Sequence, residues 1–349
     1  MDAGLWPSVL GKLVGGEELS AEEAAAAMSA ILEGSATPAQ IAGFVVALRV
    51  KGETAGEIAA LVRTMLAYAE RVEVDGPLVD TCGTGGDRSG TINVSTIAAL
   101  VVAGAGVRVA KHGNRGASSP CGSADLLEEL GVVLDLGPAG VARCIEEAGI
   151  GFCYAPRFHP AMRHAGPTRR ELGVPTVFNF LGPLANPAGA RRQVVGVGDP
   201  AMAELMIGAL AELGSEHALV FHGHDGLDEL TTTTTSAVWE LQGGEVRSYV
   251  VDPEDLGIGR CLPRDLAGGG PEGNAEITRD LLDGKMGPTR DIVVLNAAAA
   301  LVAAGVADGL ADGIDAAGAS LESGRAAECL ERLVATSQAA KAEEEEREG

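Results

Sequence analysis

The chain has 349 residues, 46% of them hydrophobic and only 3% aromatic, with 49 glycines and a formal net charge of -23. Such a length buries a sizeable core, as one large domain with a smaller companion or as two domains. The acidity argues against nonspecific binding to nucleic acid or to an anionic membrane, so an anionic substrate needs a local basic pocket or a metal ion.

Met1-Asp2-Ala3 opens neither a basic region nor a long apolar segment, and no charge-free apolar run is long enough to span a bilayer, so the chain reads as cytoplasmic. Leu5 to Leu13 is a short helix. Three further helix starts follow, each a Ser or Thr with Glu or Gln three residues on: Ser20 with Glu23, Thr37 with Gln40, and Thr54 with Glu57. These are capping boxes, with Pro38 at a first helical position and Gly34 and Gly52 as stops. Residues 1–72 are therefore expected to form a small helical domain, joined by part of 162–190 and available as a dimer surface.

From Val72 the pattern changes to short apolar runs alternating with helical stretches. Strands are expected at Leu78-Val79, Val107–Ala110, Val132–Leu134, Val194–Val197, His217–Phe221, Ala237–Trp239 and Ile292–Val294, with helices at 95–104 and Ser123–Leu130. This alternation predicts an α/β domain over 73–340 with a mainly parallel sheet, whose ligands bind beyond the carboxyl ends of the strands. Asn296 to Leu330 reads as helix interrupted by Gly305, Gly313, Gly318 and Gly324, and 341–349 as a solvated, frayed acidic tail. The cysteines, Cys82, Cys121, Cys144, Cys153, Cys261 and Cys329, are scattered without a Cys-x-x-Cys pair and read as reduced, mostly buried thiols.

Two glycine-rich stretches carry the chemistry. Asp80-Thr81-Cys82-Gly83-Thr84-Gly85-Gly86-Asp87, then Asn93-Val94-Ser95-Thr96, follows the first strand and precedes a helix. Strand, glycine turn and helix make an anion-binding layout, because glycine lets the backbone approach a ligand and the helix start presents unpaired N–H groups. It matches neither the dinucleotide fingerprint nor the P-loop. Lys111-His112-Gly113-Asn114-Arg115-Gly116, with Ser118, Ser119 and Ser123 beyond, follows the second strand in the same way. Together the loops are expected to bracket one phosphorylated ligand.

These stretches, with Gly151-Phe152-Cys153-Tyr154-Ala155-Pro156 through His159-Pro160-Ala161-Met162-Arg163, Asn179 to Pro187, and Asp225-Gly226-Leu227-Asp228-Glu229, resemble the anthranilate phosphoribosyltransferase family. The resemblance runs in order from about residue 5 to 335. It implies the nucleoside phosphorylase/phosphoribosyltransferase type of fold, a homodimer joined through the helical domain, and transfer of phosphoribosyl from phosphoribosyl pyrophosphate to anthranilate with Mg²⁺, in tryptophan biosynthesis. It further implies that Gly83, Gly85, Gly86, Asp87, Thr91, Asn93, Ser95, Thr96, Lys111 and Ser123 hold the donor, and that Ser95, Asp228 and Glu229 bind metal. Gly83, His112, Asn114, Pro156 and Arg169, beside Ala155, would hold anthranilate, while His159 orders its loop. Met162 stands where some members carry an aromatic residue.

Pyrimidine nucleoside phosphorylases share the implied architecture and a similar Lys-His-Gly-Asn-Arg stretch. Their first glycine loop resembles Lys-His-Ser-Thr-Gly-Gly, so Asp80-Thr81-Cys82-Gly83 and the Asp228-Glu229 pair speak against that reading. His222-x-His224 suggests a transition-metal site but lacks further soft ligands. A non-catalytic nucleic-acid binder is opposed by the net charge of -23.

Overall fold

The computed structural model describes residues 4–116 and 119–348, so Ser118, expected among the phosphate donors, lies outside the described residues. Four helices open the chain: α1 (Leu5–Val14), α2 (Ala21–Leu32), α3 (Pro38–Lys51) and α4 (Ala55–Ala67). All three capping boxes form, with Ser20 Oγ accepting from Glu23 N while Glu23 accepts from Ser20 N, and with the same reciprocity at Thr37–Gln40 and Thr54–Glu57. Each N-cap contributes about 1 kcal/mol. Gly52 stops α3 at φ +89°, a backbone that glycine adopts without strain.

Next come β1 (Val79–Gly83), α5 (Val94–Gly104), β2 (Val109–Gly113), α6 (Ser123–Glu129), α7 (Pro138–Ala148) and β3 (Ile150–Tyr154). Three short helices, α8 (Ala155–Phe158), α9 (Gly166–Leu172) and α10 (Phe178–Leu184), return the chain to the first four. Ala165, Val177, Phe178, Leu181 and Leu184 share a buried cluster with Trp6, Phe44 and Leu61. The rest is β4 (Arg192–Gly196), α11 (Ala203–Glu212), β5 (His217–Gly223), β6 (Ser236–Gln242), β7 (Glu245–Val251), α12 (Pro271–Leu282), α13 (Pro288–Ala304), α14 (Leu310–Glu322) and α15 (Arg325–Glu348).

The strands form one seven-stranded sheet in the order β3-β2-β1-β4-β5-β6-β7. β1 to β5 run parallel, while β6 and β7 add an antiparallel edge. β1 has β2 on one side and β4 on the other, so the order reverses there and a crevice opens beyond its carboxyl end. That is where the first glycine loop emerges.

Several expectations need correction. Val132–Leu134 is outside any strand, and Val133 N donates to Ser337 Oγ on α15 (3.1 Å). Ile292–Val294 lies within α13, which starts on Pro288 and is buried on nearly every side; such a helix loses the amphipathic period and its apolar runs look like strand. β3 falls inside a stretch recognised only as a motif, and β7 is a largely exposed edge strand without a clean apolar alternation. Gly305 and Gly324 end helices, whereas Gly313 and Gly318 sit inside α14. The acidic tail is not frayed, because α15 continues to Glu348: Glu344 Oε1 accepts from Gly137 N (3.0 Å) and Glu343 pairs with Arg143 (2.7 Å). No helix among the described residues is long and apolar enough to cross a membrane.

Candidate active site

The first wall begins as β1 leaves the sheet. Strand pairing with β4 reaches Gly83↔Gly196, and Asp228 crowds both positions: a Cβ at Gly83 would stand 2.4 Å from Asp228 Oδ2, and one at Gly196 1.6 Å from the Asp228 carbonyl oxygen, where only glycine fits. Gly85 and Gly86 then turn the chain at φ +65° and +85°. Gly85 N donates to Asp228 Oδ2 (2.7 Å), and Asp87 lies close enough to raise the Asp228 pKa by its charge. Thr91 forms a bridge with Ala267, Asn93 leads into α5, and Ser95 N, in the first turn, donates to Glu229 Oε1 (3.1 Å). Thr96 is buried and its Oγ1 has no hydrogen-bond partner among the described residues.

The second wall leaves β2. Lys111 is only 2% exposed, and its Nζ donates to the Thr81 carbonyl (2.5 Å) and to Ser95 Oγ (3.3 Å). Its charge is thus spent inside the wall, bracing Ser95, rather than standing free in the cleft. Burial lowers its pKa, an effect opposed by Asp80, Cys82 and Glu229. Asn114 O accepts from Ser123 Oγ (3.1 Å), and Asp125 Oδ2 accepts from Gly116 N and Gly122 N (2.9 Å each), closing the loop on the start of α6. Arg115 pairs with Glu128 (2.7 Å) and Asp125 (2.9 Å), so its guanidinium is already neutralised.

The acidic pair sits in the turn between β5 and β6. Asn296 of α13 pins this turn through both ends of its amide, accepting from Leu230 N and donating to Leu230 O (2.9 Å each). Adjacent side chains diverge, and here the turn sends Asp228 to the glycine loop and Glu229 to the start of α5. Burial, then the nearby Asp87 charge, pushes Asp228 up to about 6; burial and then Asp228 push Glu229 well above the usual carboxylate range. Two buried carboxylates with raised pKa values favour a nearby positive charge, and oxygen donors of this kind suit a hard divalent ion. No group of three or more His, Cys, Asp and Glu side chains is preassembled as a metal cage among the described residues. His222 Nδ1 bonds to Val197 O and His224 Nδ1 to Thr235 Oγ1 (2.7 Å each), and among the described residues neither ring joins a group of three or more His, Cys, Asp or Glu side chains, so the transition-metal reading gains no further ligand.

Among the residues expected to receive anthranilate, His112 Nδ1 donates to Gly182 O on α10 (3.0 Å) and faces His159 with ring centroids 5.1 Å apart. His159 Nε2 donates to Ala185 O (2.9 Å), the loop-ordering contact expected of it. Burial pushes His112 down to about 3 and His159 to about 4, so both are neutral imidazoles. Pro156 lies on α8. Arg169, on α9, stands over the Phe178 ring (5.4 Å) and lines a cavity of about 260 Å³ with Arg170, Thr176 and Asn179. Asn114 is on the second wall rather than on these helices.

Sequence reasoning missed several supports. Asp80 is wholly buried and accepts from His112 N (3.1 Å) and Asn186 Nδ2 (2.8 Å), tying β1 to β2 and to the loop after α10. Burial raises its pKa to about 6. A carboxylate inside an apolar strand was the available signal. Asn296 sits in an alanine-rich helix where nothing marked it, and Asn274 of α12 donates to Asn93 Oδ1 (2.8 Å) from outside every recognised motif.

Residues 75–327 match the glycosyl transferase family a/b domain, and residues 7–69 match the same family's helical bundle domain. The chain is 56% identical over 335 residues to an anthranilate phosphoribosyltransferase of Nocardioides sp., covering 95% of this chain and 98% of that protein. It is similar to the crystal structure of the Thermus thermophilus enzyme of that name, at 48% identity and a TM-score of 0.90 over 95% of this chain and 99% of that one. The Saccharomyces cerevisiae enzyme in complex with PRPP and Mg also matches, at 28% identity and a TM-score of 0.89 over 97% of this chain and 99% of that one. With both domain families matched in order and relatives above half identity along nearly its whole length, the chain belongs to the anthranilate phosphoribosyltransferase family.

Proposed function

We propose that this chain is a Mg²⁺-dependent glycosyltransferase that moves phosphoribosyl from phosphoribosyl pyrophosphate to the amine of anthranilate, giving N-(5-phosphoribosyl)anthranilate and pyrophosphate, in tryptophan biosynthesis. The observation that carries this reading is the meeting of two loops from adjacent parallel strands with the buried pair Asp228 and Glu229, each carboxylate bonded to a backbone N–H of the first wall.

In this reading Gly83, Gly85, Gly86, Asp87, Thr91, Asn93, Thr96 and Ser123 shape the donor site, with Lys111 acting through Ser95. Ser95, Asp228 and Glu229 would hold Mg²⁺, which neutralises charge on the departing pyrophosphate. Gly83, His112, Asn114, Pro156 and Arg169 would receive anthranilate, the Arg169 guanidinium taking its carboxylate. The aromatic amine is neutral near pH 7 and attacks the anomeric carbon as the bond to pyrophosphate breaks, so positioning and leaving-group stabilisation carry the rate. With a pKa near 3, His112 is too weakly basic to be the proton acceptor, and its neutral ring serves as a hydrogen-bonding wall.

The domain division into 1–72 with part of 162–190, 73–340 and the acidic end belongs to the same reading, supported by the cluster joining α10 to the first four helices. A cytoplasmic homodimer through the helical domain belongs to the same reading. The test is purified protein with Mg²⁺ and phosphoribosyl pyrophosphate, following the loss of anthranilate fluorescence. Phosphorolysis of thymidine or uridine without that loss would overturn the assignment.

A further inference from the structure

Beyond the paired strands β1 and β2, no backbone hydrogen bond among the described residues joins the two loops. The segment after the first glycine loop runs antiparallel to a strap at 266–268: Ile92 N donates to Leu266 O (3.1 Å), Gly268 N to Gly90 O (2.8 Å), and Thr91 bridges to Ala267. Beyond the strap, the first turn of α12 places Asn274 at 1% exposure. Its Oδ1 accepts from Gly269 N (2.7 Å) and its Nδ2 donates to Asn93 Oδ1 (2.8 Å); Asn93 Nδ2 in turn donates to Cys121 O on the second wall (3.0 Å). Two amides in series therefore run from the strap through the first wall to the second. Every link has a fixed sense, because a carbonyl at Cys121 requires a donor from Asn93, and this leaves Asn93 with an acceptor for Asn274. The strap is packed to match: a Cβ at Gly268 would stand 2.7 Å from Asn274 Oδ1 and 2.8 Å from Thr91 O.

We propose that Asn274 is a positioning residue for the phosphoribosyl donor, setting the spacing of the two phosphate-binding walls through Asn93. Asn93 then works mainly as the middle of the relay, since both ends of its side chain are engaged. The inference rests on the reading of this cleft as the phosphoribosyl pyrophosphate site.

The full chain with Mg²⁺ tests it through titration calorimetry of phosphoribosyl pyrophosphate and steady-state kinetics. Asn274→Asp keeps the acceptor for Gly269 and removes the donor to Asn93. It should weaken donor binding about tenfold and raise the donor KM equally, while the anthranilate KM moves less than about twofold. Wild-type donor affinity in this variant overturns the proposal, as does an equal rise in both KM values, which marks general loosening. Gly268→Ala presses a methyl onto the Asn274 amide oxygen while leaving the chemistry of both amides unchanged, and it decides the matter if Asn274→Asp does not fold: selective loss of donor affinity supports the proposal, and unchanged affinity refutes it. Failure of the wild type to consume anthranilate would strike the assigned reaction instead, while the binding comparison stays readable.

Discussion

Lys111 Nζ donates to Ser95 Oγ across 3.3 Å, joining the middle of β2 to the first turn of α5. The same ammonium reaches the Thr81 carbonyl, and Ser95 N is bonded to Glu229, so one buried cation braces both the glycine loop and a member of the acidic pair. Lys111→Met should therefore act on stability as well as rate. Removing one partner from a buried charged cluster costs about 3 kcal/mol. Urea unfolding should show that loss together with a large fall in kcat, and a variant with unchanged stability would contradict the buried placement.

Asp228 and Glu229 contact the two halves of the first wall separately. The double variant Asp228→Ala, Glu229→Ala should lower kcat by a factor of about 100 or more, on the scale of removing preorganised charge stabilisation. A Mg²⁺ titration of each single variant should shift the half-maximal concentration upward. Unchanged Mg²⁺ dependence in both would remove these carboxylates from the metal site.

Arg169 is predicted to report on the acceptor alone. A charge-assisted contact of about 1.5–3 kcal/mol corresponds to a rise of about 10- to 100-fold in the anthranilate KM for Arg169→Ala, with the donor KM little changed. Wild-type anthranilate kinetics in this variant would show that the guanidinium serves only its packing on Phe178.

Gly83 and Gly196 separate two kinds of requirement. At Gly83 an added methyl meets the end of a carboxylate at 2.4 Å, so Gly83→Ala should fold, displace Asp228 and reduce turnover. At Gly196 it meets the Asp228 backbone at 1.6 Å, so Gly196→Ala should fold poorly or not at all. Thermal melts beside kcat distinguish the two.

His159 supplies a pH prediction. Burial depresses its pKa to about 4 from 6.5, so the unfolded chain binds the extra proton first as pH falls. Its share of the stability is present above the unfolded pKa and is lost as the pH drops from 6.5 through about 4, on the order of 3 kcal/mol in all. His159→Gln, which retains a donor for the Ala185 carbonyl, should flatten the decline in unfolding free energy between pH 6.5 and 4.5. An identical slope in both proteins would refute the buried neutral imidazole.

Much of this fold was legible because the cues were local. The capping boxes at Ser20, Thr37 and Thr54 form as read, since each needs only residues three apart. The two glycine walls were likewise read from adjacent residues whose types suit phosphate, whereas the metal roles of Ser95, Asp228 and Glu229 entered through the resemblance to the family. Errors arose where burial erases periodicity, as at Ile292–Val294 in α13, or where a strand edge faces solvent, as in β7.

What the chain's order determined by itself was which segments turn, which carry the glycines and helix starts of an anion-binding layout, and in what succession they occur, because those properties reside in short runs of backbone and side chain. Only the tertiary structure decided where the charges go. Lys111 and Arg115 both look like free cations in sequence, yet one is buried against Thr81 and Ser95 and the other is closed off by Asp125 and Glu128. Distant segments made that decision. Burial in a low-dielectric interior obliges each charge and amide to find a partner, so Asp80 and Asn274 take roles set by residues far from them in the chain.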